Sequence, residues 1–249
     1  MRVVVALMLR EMATVYGRSP GGYLWALLEP LGGIIILATA MSVVVRTPPL
    51  GSSFILFFAT AVLPFNHYQS LSNSVARSIN FSRALLFYPA VTWVDAVLAR
   101  FILNMLTDLL VMIIVFSILL VFTENQSVLT AGPILTAVLC AAMLGLGVGM
   151  LNCVIIGLFP VWMQVWSILT RPLFLISGVF FMYEDLPGPV QSLLWYNPIL
   201  HIAGIMRAGF YPTYTPNYTN PTYVLCIGMV CLAMGVILMS RHHKDILNA

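Results

Sequence analysis

Three charged side chains fall near the middle of apolar stretches: Glu29, Asp108 and Arg171. An ionised group in hydrocarbon costs several kcal/mol unless it is paired or wetted. Two chemistries fit. Arg171 pairs with Asp108 or Glu29 to hold helices together, or Arg171 and Arg100 meet an anionic substrate crossing the bundle. Catalytic patterns are sparse by comparison. The chain has a single lysine, Lys244, preceded by His243, so it contains no GxxxxGK[ST] phosphate loop and is not expected to bind ATP that way. His242 and His243 sit beside Lys244 and Asp245 in a short polar tail, which is fewer ligands than a metal site needs. His67 and His201 are isolated along the sequence, and no Ser/His/Asp or paired-carboxylate spacing appears. The expectation is a non-enzymatic chain with no metal or cofactor of its own.

Composition restricts what elements can position those residues. With 61% hydrophobic and 8% charged residues and a mean hydropathy of +0.99, the 249-residue chain is unlike soluble domains, in which about a quarter of residues are charged. It reads as an all-α polytopic membrane protein forming one domain. A net charge of +3 is too small to suggest nucleic acid as a partner. Cys140, Cys153, Cys226 and Cys231 all lie in apolar segments, where a cysteine acts as a small hydrophobe.

A hydrocarbon core of about 30 Å needs roughly twenty apolar residues per helix. Six runs qualify: 22–45, 53–76, 93–122, 131–159, 161–182 and 222–240. They are too long and too uniformly apolar for barrel strands of about ten alternating residues. The second run is interrupted by Pro64 and turns polar from Asn66 to Ser74, as a helix facing water or protein would. With the N-terminus in the cytoplasm, Arg2, Arg10, Arg18, Arg77, Arg83, Arg241 and Lys244 face inward and Arg100 lies near that side. Both termini are then cytoplasmic, and Arg46 and Arg207 face outward.

Shorter segments complete the picture. Residues 1–19 place Val4, Leu7, Met8, Met12 and Val15 on one stripe and Arg2, Arg10 and Arg18 elsewhere, the pattern of a helix lying in the membrane surface. A signal peptide fits less well, since the apolar run ends at Arg10-Glu11 without a small-residue cleavage site. Residues 80–86 form a second short amphipathic helix suited to docking a soluble partner. Between 187 and 210, two apolar pieces are too short to cross a bilayer and are expected to dip in or to lie at its outer face. Ala141, Gly145, Gly149, Cys153 and Gly157 form a small-residue stripe for close helix packing. Most aromatic residues cluster at span ends as a membrane-interface belt. Phe65, Tyr68, Trp166, Tyr183 and Trp195 are the ones expected to point inward, where aromatic faces could stack on sugar rings.

Several of these features together resemble the ABC-2 type permeases of bacterial capsule-polysaccharide exporters. They are Arg10-Glu11, the Tyr16-Gly17-Arg18-Ser19-Pro20 turn, Tyr23-Leu24-Trp25-Ala26, Glu29-Pro30, and Trp195-Tyr196-Asn197-Pro198 followed by Arg207. The resemblance implies a homodimer of six-helix subunits in the bacterial inner membrane, with two short re-entrant or periplasmic gate helices over 187–210. Each subunit would bind a cytoplasmic ABC ATPase, which holds the ATP and Mg, and would move a lipid-linked acidic glycan to the periplasm through a dimer-interface channel. Periplasmic and outer-membrane export proteins would be further partners. By position, Arg10, Glu11, Arg18, Asn80, Phe81, Arg83 and Leu85 would couple to the ATPase. Asn197, Pro198 and Arg207 would form the gate, and Phe65, Tyr68, Trp166, Tyr183, Trp195, Arg171 and Arg100 the channel. Exporters of O-antigen, other lipid-linked glycans or lipids are the alternative within the class; an ion-driven carrier using Asp108 or Glu29 is the alternative outside it.

Overall fold

The computed structural model describes residues 2–15, 22–88, 90–122 and 129–248, so the turn containing Arg18 lies outside the described residues. Those residues form ten α-helices, a 3-10 turn at Tyr183–Asp185 and no strand. In chain order the helices are α1 (Arg2–Val15), α2 (Gly22–Val44), α3 (Phe54–Ala76), α4 (Ser78–Leu86) and α5 (Trp93–Phe122). They continue with α6 (Ala131–Leu158), α7 (Trp162–Leu175), α8 (Gly188–Leu194), α9 (Pro198–Phe210) and α10 (Pro221–Asn248).

Among the described residues four helices are long and apolar enough to cross a membrane: α2, α5, α6 and α10. The other two expected spans depart from that pattern for different reasons. Helix α3 has 23 residues, about 34 Å at 1.5 Å per residue. Its polar half lowers its hydropathy, and its apolar residues from Leu56 to Phe65 are buried against protein, so it is a core helix. Helix α7 stops at Leu175 after 14 residues, about 21 Å. The expected continuous helix over 161–182 is therefore not formed. Pro172 weakens the last turn, and Gly178 takes a φ of +75°, which favours glycine and ends the helical path.

The small-residue stripe explains why α6 is the centre of the bundle. A Cβ on Gly145 would lie 2.9 Å from the Cβ of Leu71, and one on Gly149 would lie 2.8 Å from the carbonyl of Ser72, so α3 lies directly on α6. On another face Gly147 meets Gly228 of α10, and Gly157 receives Ile246 from the end of α10. Backbone approach of this kind is how helices associate where lipid removes the hydrophobic advantage.

The two ends of the bundle differ in construction. At one end α1 packs on α5 and α4 through Val4, Leu7, Ala99 and Leu85. The end of α10 is tied to α4 there by Arg83, whose guanidinium donates to the Leu247 carbonyl at 3.0 Å. Both terminal helices thus meet α4. At the other end, α9 is buried beside α3 and α6, and the amide of Thr130 donates to the Gly209 carbonyl at 3.0 Å.

Candidate functional site

Asn66, Gln69 and Asn73 recur at three- and four-residue steps and so share one face of α3, and Arg77 follows just past its C-terminal end. Two cavities open along that face. The first, about 510 Å³, lies between α3 and α7 and adds Trp166, Ser167, Thr170, Arg171 and Phe174 to the stripe. The second, about 550 Å³, lies between α2, α3 and α5 and contains Glu29, His67, Ser70, Asn104 and Asp108. Asn66, Gln69, Asn73 and Phe174 line both, making them two halves of one groove.

The first half combines cations, amides and aromatic faces. Arg171 and Arg77 are its charged groups. Phe65 forms its inner wall, edge-on to Phe174 at 5.1 Å and to Tyr68 at 6.4 Å, with Tyr68 buried behind. Trp166 stacks with Trp162 at 6.5 Å, and Trp162 is fixed by donating its indole N–H to Asn152 Oδ1 at 2.8 Å. In the second half Asp108 is oriented from two sides. Ser70 donates to Oδ1 at 3.2 Å, and His67 Nδ1 lies 3.3 Å from Oδ2.

These contacts show how the mid-span charges pair. Arg171 does not pair with Asp108 or Glu29: Asp108 is held by His67 and Ser70 in the other cavity, and Arg171 lines the first with its side chain exposed. Arg100 lines neither cavity. Its Nε donates to Glu11 at 2.8 Å, and its guanidinium lies 4.5 Å from the Phe81 ring centroid. Arg10 approaches the same ring at 5.6 Å, so α1, α4 and α5 converge on Phe81. Sequence spacing hides this cluster and the His67–Asp108 pair because their partners are 89 and 41 residues apart.

Arg207, expected on the outer side of the membrane, is fully enclosed within the protomer. Its guanidinium donates to the carbonyls of Gly178 at 2.7 Å and Phe181 at 3.3 Å and lies 4.2 Å over the Phe57 ring. Arg207 therefore fastens the non-helical segment after α7 to α9 and α3. Asn197 caps α9 by accepting from the Ile199 amide at 3.1 Å, while its own amide donates to the Ile176 carbonyl at 3.0 Å. Pro198 follows at the first helical position, where its missing N–H is harmless. Tyr183 and Trp195 also belong to this end and line neither half of the groove. Tyr183 stacks on Tyr218 at 4.1 Å, and Trp195 donates its indole N–H to the Tyr218 carbonyl at 3.2 Å. Burial pushes the Tyr218 hydroxyl up to about 12, keeping it neutral.

On α4, Phe81 and Leu85 turn toward α1 and α5, whereas Asn80 and Arg83 face solvent. Beyond them Phe87 and Tyr88 are 66% and 63% exposed. These two aromatics are missing from the expected docking set. Their signal is position: they follow an amphipathic helix, in the short link before the apolar run that begins at Trp93.

The ABC-2 type transporter family model matches residues 2–211. Among curated relatives, the capsule polysaccharide export inner-membrane protein CtrC of Neisseria meningitidis serogroup B is 28% identical over 98% of this chain and 92% of its own length. The polysialic acid transport protein KpsM of Escherichia coli is 28% identical over 99% and 95%. The capsule polysaccharide export inner-membrane protein BexB of Haemophilus influenzae is 25% identical over 98% and 92%. The match runs through α1, the polar α3 and the Asn197-Pro198 cap alike, and the chain belongs to the ABC-2 type transporter family.

Proposed function

We propose that this chain is the membrane permease subunit of an ATP-driven exporter that moves a lipid-anchored acidic polysaccharide, of the capsular type, from cytoplasm to periplasm. The observation that carries the reading is the groove between α3 and α7, where Arg171 and Arg77 meet an amide stripe and the faces of Trp166 and Phe174. Arginine forks suit sugar carboxylates, amides suit hydroxyls, and aromatic faces suit the apolar side of a pyranose ring. The names of the relatives support a capsule polysaccharide as cargo. In this reading α3 and α7, the latter continued by 176–182, join the four long apolar helices as six crossings. Both termini lie in the cytoplasm, and 187–210 forms the periplasmic gate.

Two copies would close the groove into a channel, and a cytoplasmic ATPase dimer binding ATP and Mg would drive it. The exposed surface of α4, with Asn80, Arg83, Phe87 and Tyr88, is the docking face for that ATPase. Phe81 and Leu85 act behind it, carrying motion to α1 and α5 through Arg10, Glu11 and Arg100. Export of O-antigen or another lipid-linked glycan uses the same architecture. Affinity purification from native membranes tests the assignment: an ABC ATPase should co-purify at roughly equal amount and be lost from the Arg83→Glu, Phe87→Glu variant. A folded chain that recovers no ATPase, with export abolished by dissipating the ion gradient, would put an ion-driven carrier in its place.

A further inference from the structure

The two halves of the groove have opposed chemistry. Among the described residues no arginine or lysine lines the half between α2, α3 and α5, but two carboxylates do, Glu29 and Asp108, together with the amides of Asn66 and Asn104. A sugar carboxylate would be repelled there, since like charges disfavour one another where water is scarce. A metal ion does not fit either: among the described residues no three His, Cys, Asp or Glu side chains are grouped to hold one. Asp108 is a set hydrogen-bond acceptor. Ser70 and His67 fix it from two sides, and a carboxylate has about four lone-pair sites, so some remain for donors in the cavity. His67 lines the same cavity, its side chain is 1% exposed, and its Nε2 has no partner.

An oriented acceptor, Asp108, beside the exposed Glu29 and with no arginine or lysine among the described lining residues, suits a ligand rich in O–H and N–H donors. We propose that this cavity is a second subsite, for an uncharged, hydroxyl- or acetamido-bearing sugar residue. The groove then holds a glycan in which carboxylate-bearing residues alternate with uncharged ones. This rests on the glycan-export reading and narrows its substrate: the first half takes the acid on Arg171 and the second takes the neutral neighbour on Asp108 and Glu29. The shared stripe of Asn66, Gln69 and Asn73 spans the linkage between them.

Binding of labelled octasaccharides to the purified protein in lipid nanodiscs tests it. The probes are hyaluronan, which alternates a uronate with an acetamido sugar; oligosialic acid, with an acid on every residue; maltooctaose, uncharged; and a chitosan oligomer, carrying amines. Hyaluronan should bind about tenfold tighter than each of the others. Asp108→Asn and Glu29→Gln should each remove most of that preference without weakening oligosialic acid, whereas Arg171→Gln should weaken both anionic probes. Glu29 is exposed in the protomer, so its variant remains informative if the Asp108 variant folds poorly. Equal binding of hyaluronan and oligosialic acid, unmoved by either acidic variant, would overturn the second subsite while leaving the exporter reading intact; tight chitosan binding would replace it with a cation site. Failure of every probe to bind would overturn the glycan reading and the subsite together.

Discussion

Helices α6 and α7 are joined by only Phe159, Pro160 and Val161, yet one is the most enclosed of the long apolar helices and the other is nearly bare. More than half of the most apolar stretch of α6 is buried, pressed by glycines against α3 and α10, whereas Thr170 alone is buried in α7. The difference separates two tasks. The α3–α6–α10 side is a frame whose backbone contacts leave no freedom, and the α2–α7 side is an open face whose charged residues remain available. Arginine shows the same split: Arg207 spends its guanidinium on carbonyls of its own chain, while Arg171 lines the groove without a partner among the ion pairs of the described residues.

The comparison breaks hardest where a side chain is forced into the frame. A Cβ at Gly149 would already sit 2.8 Å from both the Ser72 carbonyl and the Val75 Cβ. Backbone atoms cannot yield as a flexible side chain can, so Gly149→Leu is expected to cost about 3 kcal/mol or more. The purified variant should melt far below the parent or fail to accumulate in membranes. On the open side Gly32 has nothing within 4 Å of the same position. Gly32→Ala should leave the melting temperature unchanged or slightly raised, and an equal loss in both variants would erase the distinction between frame and open face.

An effect of similar size, at the lower end of that range, is expected at Arg207. With a side chain 1% exposed, replacement by alanine strands the Gly178 and Phe181 carbonyls and removes the cation from the Phe57 ring. Orphaned buried acceptors cost about 1–3 kcal/mol each, so Arg207→Ala should lower stability by about 3 kcal/mol, read by thermal melting. Arg171→Ala, on an exposed side chain, should leave the melting curve unchanged. A protein indifferent to loss of Arg207 would show that the segment after α7 is held by apolar packing alone.

How much of this is legible in sequence depends on the kind of signal. Helix α6 announces itself as a uniform apolar run and α5 as a long, mostly apolar one, and the stripe from Ala141 to Gly157 states the close packing of α6 in advance. The polarity of α3 is ambiguous by nature. Asn66 and Gln69 look the same whether they face water or protein, and in the fold that face lines both cavities while Leu71 and Val75 pack on the other side. The break after α7 depends on two residues, Pro172 and Gly178, within a largely apolar run, and composition averages over them. The roles of Arg100, Asp108 and Arg207 are set by partners brought together only by the fold. Charge alone marks these residues as important without saying which binds its own chain and which is left for a ligand.

The gentlest probe uses the outer surface of α7, where no loss of stability is expected. Val161, Ile168 and Leu175 recur every seven residues and are 69%, 63% and 56% exposed, and they lie away from Trp166, Thr170 and Phe174, which face the groove. A helix with so little support in its own protomer and an apolar ridge on its far side is suited to packing against a second copy. Ile168→Cys, in a background lacking the four native cysteines, should therefore give a disulfide-linked dimer in membranes on mild oxidation. Ile113→Cys, 66% exposed on α5, should stay monomeric as a lipid-facing control. The reverse result would move the seam to α5. The groove between α3 and α7 would then open to lipid, and an anchored glycan could enter it from the side without passing between two protomers.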